Sequence, residues 1–215
     1  MKQRIGAIAV CLVAVLTASA TATAQEKKGN PPPAASAGGP GADEMAKMME
    51  AYAKLASPGP QHEQLKAMAG LWTVAGKFRM TPDQPWEESK SESRGEMLMG
   101  GRFLQQHFTG EPMMGMPTNF EGLGFMGFDN QKQKFVSVWM DNMGTMIMTG
   151  EGTYDAASKT LSLRSDFVDP MTNQKSYMRS VYKMESAEKY VLSAFGPGPD
   201  GKEFQMMELV HTKKK

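Results

Sequence analysis

Methionine is the most unusual feature of this sequence, because its thioether can bind soft metal ions. The 215 residues include 21 methionines and a single cysteine. Two groups are dense: one comprises Met113, Met114 and Met116, and the other Met140, Met143, Met146 and Met148. Thioethers favour Cu(I) and Ag(I), but methionine also fills irregular apolar cavities. Because Met146 and Met148 alternate like residues on one strand face, the spacing favours packing or an apolar ligand cavity over a metal site.

Histidine, arginine and aspartate are the other side chains with suitable chemistry. The histidines His62, His107 and His211 lack the HxH or HExxH spacing of a metal triad. Arg102 can clamp a carboxylate head group bidentately, and Asp141 can line the same cavity. The alternative roles are an ion pair at a strand end for Arg102 and turn formation for Asp141. The candidate ligand-binding residues are Arg102, His107, Trp139, Asp141, Met146 and Met148.

No motif in the sequence indicates catalysis. The sequence shows none of the usual catalytic patterns: a Ser-His-Asp order, a nucleophile elbow, a phosphate-binding glycine loop or paired carboxylates. Gly122-x-Gly124 lies within a β stretch rather than at the start of a helix, so it is not a nucleotide fingerprint. An enzyme is left open as a third function after ligand binding and metal binding, and no cofactor is predicted.

The elements that must position these residues are mostly strands. Aromatic and β-branched runs alternate with Gly, Pro and Asx turn signals. We expect strands at about 71–80, 92–99, 102–110, 120–128, 134–140, 145–153, 160–168, 175–184, 189–195 and 203–211. Without crossover helices, such a series predicts an all-β, antiparallel up-and-down sheet of about ten strands, closed into a barrel over residues 71–213. Such a barrel can hold a small apolar or amphipathic ligand, and a β-sandwich is the alternative.

Residues 42–70 precede the barrel as a helical segment. Met45, Met48, Met49, Tyr52 and Leu55 form an apolar stripe at helical spacing. A second short helix is expected at about 61–69, after the stop signal at 57–60. We expect the first helix to lay its apolar stripe over one mouth of the barrel.

The first 41 residues are expected to lie outside the fold. Residues 1–24 have the pattern of a signal peptide: Lys2 and Arg4 form a basic start, an apolar run follows, and Ala22-Thr23-Ala24 precedes the predicted cleavage site. Residues 25–41 form a Pro/Gly/Ala-rich disordered linker. The predicted mature protein is periplasmic or secreted, without a membrane span. Removing the two leader cations leaves 22 basic against 23 acidic residues, a balance that disfavours nucleic-acid partners. The oligomeric state is left open.

Several motifs occur together and in order. They are Gly70-Leu71-Trp72, residues 100–106, Gly122-Leu123-Gly124, residues 127–130, Trp139-Met140-Asp141, residues 152–155 and Asp169-Pro170-Met171. Over about residues 63–213 the chain resembles the bacterial family catalogued as domain of unknown function 1579. The resemblance implies a calycin-like barrel, similar in outline to lipocalins, and implies no established activity. It further implies that Trp72 packs against a late basic residue, Lys213 or Lys214.

The resemblance also bears on the histidines. A related group of small barrels binds haem through one histidine. A role of His107 or His211 as a haem ligand is therefore kept as the less favoured alternative. The favoured interpretation is an ordinary surface or hydrogen-bonded histidine. The leading function expected from the sequence is therefore the binding of a small apolar or amphipathic molecule inside the barrel.

Overall fold

The computed structural model describes residues 41–113, 115, 117–170 and 172–215. The predicted signal peptide, 1–24, and the linker up to residue 40 lie outside these residues. Two helices, α1 (Ala42–Ala56) and α2 (Pro60–Lys66), precede the strands. The strands are β1 (Gly70–Phe78), β2 (Glu87–Leu98), β3 (Phe103–Gly110), β4 (Phe120–Asp129), β5 (Lys134–Asp141), β6 (Met148–Asp155), β7 (Thr160–Val168), β8 (Lys175–Ser186), β9 (Lys189–Pro197) and β10 (Glu203–Lys213).

The ten strands form one closed antiparallel barrel in which each strand pairs with its neighbours in sequence. β1 closes the ring by pairing with β10, with Trp72 opposite Lys213 and Val74 opposite His211. Among these described strands, closure leaves no unpaired edge. The predicted up-and-down barrel with preceding helices is therefore confirmed, and the β-sandwich alternative is wrong.

Two strands begin more than one residue away from the positions predicted. β2 begins at Glu87 rather than near 92. Its first residues were not predicted as strand, because serine alternates with charged residues there and the pattern has little apolar content. β6 begins at Met148 rather than 145. The Asn142 side chain accepts a bond from the Glu121 backbone N–H at 3.1 Å and donates to the Asn119 carbonyl at 2.8 Å. These bonds tie the β5–β6 loop to the start of β4, and the β5–β6 pairing begins only at Trp139 and Met148.

The alternation of strand direction gives the barrel two different ends. We call the end that carries α2 and the loops 99–102, 130–133, 156–159 and 187–188 the helix end. The open end carries the loops 79–86, 111–119, 142–147, 169–174 and 198–202. The interior at the helix end is filled: the void between α2 and the strands measures only about 10 Å³. The fully buried residues there include Leu65, Trp72, Leu104, Phe135 and Tyr190.

The segment after α2 seals the helix end through backbone as well as side-chain contacts. The Trp72 indole N–H donates to the Met68 carbonyl at 3.0 Å, and Lys213 Nζ lies 5.4 Å from the Trp72 ring centre. A Cβ on Gly95 would lie 2.6 Å from the Met68 carbonyl oxygen, so only glycine allows this close approach. The late basic residue implied by the resemblance is thus Lys213, while Lys214 pairs with Glu92.

Helix α1 does not cover a mouth of the barrel with its apolar stripe. Met45, Met48, Met49, Tyr52 and Leu55 are each at least 42% exposed, so the expectation of a buried stripe is wrong. Polar contacts hold only the carboxyl end of α1. Arg102 Nε donates to the Ala56 carbonyl at 3.0 Å, and Asn130 Nδ2 donates to the Leu55 and Ser57 carbonyls at 2.8 Å. Within the described residues, neither helix is long and apolar enough to cross a membrane.

Candidate functional site

A cavity of about 290 Å³ occupies the barrel interior toward the open end. Its wall is built from inward-facing residues of most strands, together with residues of the 111–119 and 142–147 loops. The larger apolar side chains in this wall are Met113, Met126, Met143, Met148, Met178, Met207, Phe108, Phe120, Trp139, Leu163, Leu192 and Leu209. Exposed Lys90 and Glu111 also line it, so the cavity reaches the surface at the open end.

Gln106 lies between the cavity and the filled helix end. It lines the cavity and is 3% exposed. Its Nε2 donates to the Tyr190 hydroxyl at 3.1 Å, and burial raises the pKa of Tyr190 well above its ordinary value. The tyrosine hydroxyl is therefore neutral near pH 7 and accepts this bond. The hydrogen bond gives both the Gln106 amide and the Tyr190 hydroxyl a partner in an apolar interior.

The Trp139 indole packs against the backbone of the Gly122-x-Gly124 motif. A Cβ on Gly122 would lie 2.5 Å from Trp139 Cζ2, and one on Gly124 would lie 3.0 Å from Cε3. Both glycines face inward on β4 beside the β5 tryptophan, with Gly124 directly opposite Trp139. The indole therefore packs against backbone that carries no side chain, and Trp139 also lines the cavity. The sequence motif is thus a packing device for a cavity residue.

Asp141 fixes the orientation of this indole. The Trp139 Nε1–H donates to Asp141 Oδ2 at 2.8 Å, and the Met143 backbone N–H donates to Oδ1 at 3.0 Å. The aspartate therefore forms the turn that the sequence predicts and also lines the cavity. A carboxylate has about four lone-pair sites, and these two donors occupy two of them.

Two phenylalanines complete an aromatic cluster around Trp139. The Phe108 ring packs edge-on with its centre 5.4 Å from that of Trp139, and the Phe120 ring is nearly parallel at 6.5 Å. All three residues line the cavity together with Asp141. The lining around Trp139 thus combines aromatic rings with the Asp141 carboxylate.

The remaining polar lining consists mainly of serine hydroxyls. Five serines from four strands contribute: Ser89, Ser91, Ser137, Ser165 and Ser180. The candidate residues chosen from the sequence do not include them. Their signal was the alternation of serine with charged residues along 88–94, which marks serine as the inward-facing residue type on β2.

His211 is buried below this cavity. It is 0% exposed and stacks on Tyr190 with ring centres 4.0 Å apart. The Phe108 ring is nearly perpendicular to it, with ring centres 5.7 Å apart. Neither ring nitrogen forms a hydrogen bond of normal geometry with any described residue. Desolvation lowers the pKa of His211 to about 4, and the nearby Leu209 backbone opposes this shift only weakly. A haem bound through His211 would require displacement of the rings that bury it.

The structure brings together only some of the sequence-predicted site residues. Trp139, Asp141 and Met148 line the cavity, as does Met113. Arg102 lies at the helix end and donates to the Ala56 and Met99 carbonyls, a position that does not agree with a clamp in the cavity. His107 lies on the outer face, 3.0 Å from Glu121 Oε1, and Met146 is exposed on the β5–β6 loop. Met114 and Met116 lie outside the described residues.

A second depression, of about 420 Å³, lies on the outer face of β8, β9 and β10. Apart from Lys183, its charged side chains form ion pairs: Arg179 pairs with Glu203, Lys189 with Glu185, and Glu208 with Lys77. Val181, Val191, Phe195 and Val210 form its apolar part. We therefore place the candidate site in the barrel interior, where polar and apolar groups converge on one enclosed volume.

Comparison with solved structures supports the fold assignment. The crystal structure of Rv2717c from M. tuberculosis is similar over 74% of this chain and 100% of its own, with a TM-score of 0.55 and 14% identity. At this identity the similarity concerns the fold alone. A redesigned β-barrel matches over 71% of this chain and 96% of its own, at 10% identity and a TM-score of only 0.36.

Comparison of the sequence with curated proteins finds no match. A family model described as a protein of unknown function, DUF1579, matches residues 57–213. The match spans α2, all ten strands and the cavity lining, which is well over half of the chain. The chain therefore belongs to the DUF1579 family.

Proposed function

We propose that this protein binds a small apolar or amphipathic molecule in the cavity at the open end of the barrel. The observation that carries the proposal is the unequal filling of one barrel, with about 290 Å³ of space at one end and about 10 Å³ at the other. Ligand pockets typically measure about 300–1,000 Å³, so the cavity suits a ligand at the small end of this range.

The chemistry of the wall supports the same proposal. Methionine side chains adapt to ligands of different shape, and six of them line the cavity. The serine hydroxyls and Asp141 supply a few polar contacts within a largely apolar surface, the combination that orients a small ligand. This arrangement fits a carrier of molecules that have an apolar body and one polar end.

The test fills the cavity without changing the rest of the barrel. Ser180 lines the cavity on β8, and its neighbour Val181 lies on the opposite, outer face. We expect Ser180→Phe to abolish binding of a neutral fluorescent probe, N-phenyl-1-naphthylamine, while the matched Val181→Phe binds it like the wild type. Circular dichroism checks that both variants fold. Equal probe binding by both variants, or no binding by the wild type, would refute the carrier function.

A second candidate function is the binding of Cu(I) or Ag(I) by thioethers. It rests on the six methionines of the lining, three of which (Met113, Met143 and Met148) lie near the open end. Native mass spectrometry after addition of Ag(I) tests this candidate. A stoichiometric silver adduct that disappears in a Met113→Leu/Met143→Leu/Met148→Leu variant would favour it over the carrier function.

The place of action that we propose is outside the cytoplasm, after removal of residues 1–24. The support is the charge and hydropathy pattern of these residues. The test is the amino-terminal mass of the protein expressed from its full sequence in a bacterium and recovered from the periplasm or medium. A mature form beginning at Gln25 would agree with export, and an intact Met1 form confined to the cytoplasm would contradict it.

A further inference from the structure

We infer that the ligand of the cavity carries a cationic head group, an amine or ammonium, and that Asp141 and Trp139 bind it. This inference rests on the proposed ligand-binding function and specifies the chemical class of the ligand. It also differs from the expectation of a carboxylate ligand clamped by Arg102, because Arg102 lies at the helix end, against the carboxyl end of α1.

The first observation is a carboxylate without a cationic partner. Asp141 lines the cavity and is half-buried. Its hydrogen bonds come from the Trp139 indole N–H and the Met143 backbone N–H, both neutral donors. Within the described residues, no Lys, Arg or His nitrogen lies within ion-pair distance of Asp141. The negative charge is therefore free to attract a ligand cation.

The second observation is the aromatic cluster beside this carboxylate. Phe108 and Phe120 flank Trp139 with ring centres 5.4 and 6.5 Å away. The six-membered ring of the indole packs closely against the backbone of Gly122 and Gly124, and Trp139 lines the cavity. Ammonium groups bind over aromatic faces, and tryptophan gives the strongest such interaction. A cation over the indole would lie near Asp141, because the Asp141 carboxylate accepts the indole N–H at 2.8 Å.

The other charges of the lining do not cancel this preference. Lys90 and Glu111 are both exposed at the rim, one positive and one negative. Asp141 therefore decides the sign of the charge in the cavity. An anionic head group would face an unneutralised carboxylate, and this repulsion would be strengthened by the apolar surroundings.

The experiment compares three ligands that share an eight-carbon chain: octylammonium, 1-octanol and octanoate. Isothermal titration calorimetry of the wild-type protein at pH 7 and low ionic strength measures each affinity. We expect octylammonium to bind about tenfold more tightly than 1-octanol, and octanoate to bind more weakly than both. Octanoate binding equal to or tighter than octylammonium would overturn the inference while leaving the cavity function intact. If none of the three ligands bound, the proposed function would fail as well.

Two variants identify the group responsible. Asp141→Asn keeps the shape of the side chain and removes its charge, so octylammonium affinity is expected to fall about tenfold while 1-octanol affinity stays within about twofold. Asp166→Asn is the matched control, because Asp166 pairs with Arg164 on the outer face. Trp139→Phe, which keeps the carboxylate, is expected to weaken octylammonium more than 1-octanol. Equal losses for both ligands in Asp141→Asn would show a merely structural role for Asp141 and overturn the inference.

Discussion

The two ends of this barrel are built from the same strands, but one end is filled with side chains and the other holds a cavity. At the helix end, Leu65 and Met68 enter the barrel from above and meet Trp72 and Leu104, all of them buried. At the open end no helix of the described chain enters, and methionines, serines and aromatic residues surround empty volume. The comparison shows that closure of the sheet does not by itself determine whether a barrel is filled. The segment between Gly59 and Gly70 determines it, because its side chains complete one layer of the core.

Under the proposed function, this difference separates the residues that stabilise the fold from those that bind the ligand. Close-packed layers contribute most of the apolar burial that stabilises the fold. Residues around a cavity bury less surface and can vary with less effect on folding. We therefore expect substitutions at the helix end to alter unfolding and those at the open end to alter ligand affinity.

The largest expected effect comes from matched leucine substitutions at the two ends. Leu104 is 0% exposed in the core at the helix end, and Leu209 lines the cavity. Leu104→Ala is expected to lower the free energy of unfolding by about 3–5 kcal/mol, because it leaves a void in a packed layer. Leu209→Ala is expected to cost about 1–2 kcal/mol, since its environment is already open. Urea unfolding followed by circular dichroism measures both values. Equal costs would contradict the distinction between the ends.

A pH-dependent effect should arise from His211. Its pKa is lowered to about 4 by burial, whereas the unfolded chain has a histidine pKa of about 6.5. The unfolded state therefore binds the proton more readily, so stability present above pH 6.5 is lost as the pH falls toward 4. The expected loss attributable to this residue is about 2 kcal/mol at pH 5 and about 3 kcal/mol at pH 4.

A non-titrating variant isolates this contribution from that of the surface carboxylates. His211→Leu is expected to lose less stability than the wild type between pH 7 and pH 5, by about 2 kcal/mol. His107→Gln serves as the control, because His107 is partly exposed on the outer face. Parallel pH profiles for wild type and His211→Leu would contradict a neutral, buried His211.

A smaller effect on folding, with a larger one on binding, is expected from Gly122→Ala. The added methyl would lie 2.5 Å from the Trp139 ring, so the indole must move into the cavity. We expect a loss of about 1–3 kcal/mol in unfolding free energy and clearly weaker binding of the neutral probe. Gly144→Ala is the control, because the nearest atom to its added methyl, the Met146 nitrogen, is 4.0 Å away. If Gly122→Ala bound the probe as tightly as the wild type, the close packing of Trp139 on Gly122 would not matter for binding.

Local sequence patterns determine most of the barrel, and this explains what could be predicted. Turn chemistry at Asp129-Asn130 and Gly100-Gly101 and the alternation along β7 are local signals, and the strands follow them. The filling of the barrel depends on α2 entering one end, which is a contact between distant residues. Alternation identifies inward-facing residues but not whether they meet a helix or an empty volume. Trp139 and Asp141 were selected from the sequence, while Phe108 and the five serines of the cavity lining were not.

The position of Arg102 follows from strand parity. Connections after even-numbered strands return to the end where β1 begins, and Arg102 lies in the connection after β2, on the same side as the helices. Asp141 ends β5, an odd-numbered strand, and so reaches the opposite end. Counting strand directions along the sequence is therefore enough to assign the two residues to opposite ends of the barrel. Residue type indicates suitable chemistry, but strand parity determines which residues meet.

The smallest expected effect is that of Arg102→Ala, which tests this separation. The variant loses the hydrogen bonds to the Ala56 and Met99 carbonyls, both exposed, so unfolding free energy should fall by less than about 1 kcal/mol. Hydrogen exchange in α1 should become faster, because Asn130 would then be the main remaining tether. Binding of the neutral probe and of octanoate should not change, since the guanidinium lies at the end of the barrel opposite the cavity mouth. A selective loss of octanoate affinity would instead restore Arg102 as a carboxylate clamp, and would require a conformation in which the arginine reaches the cavity.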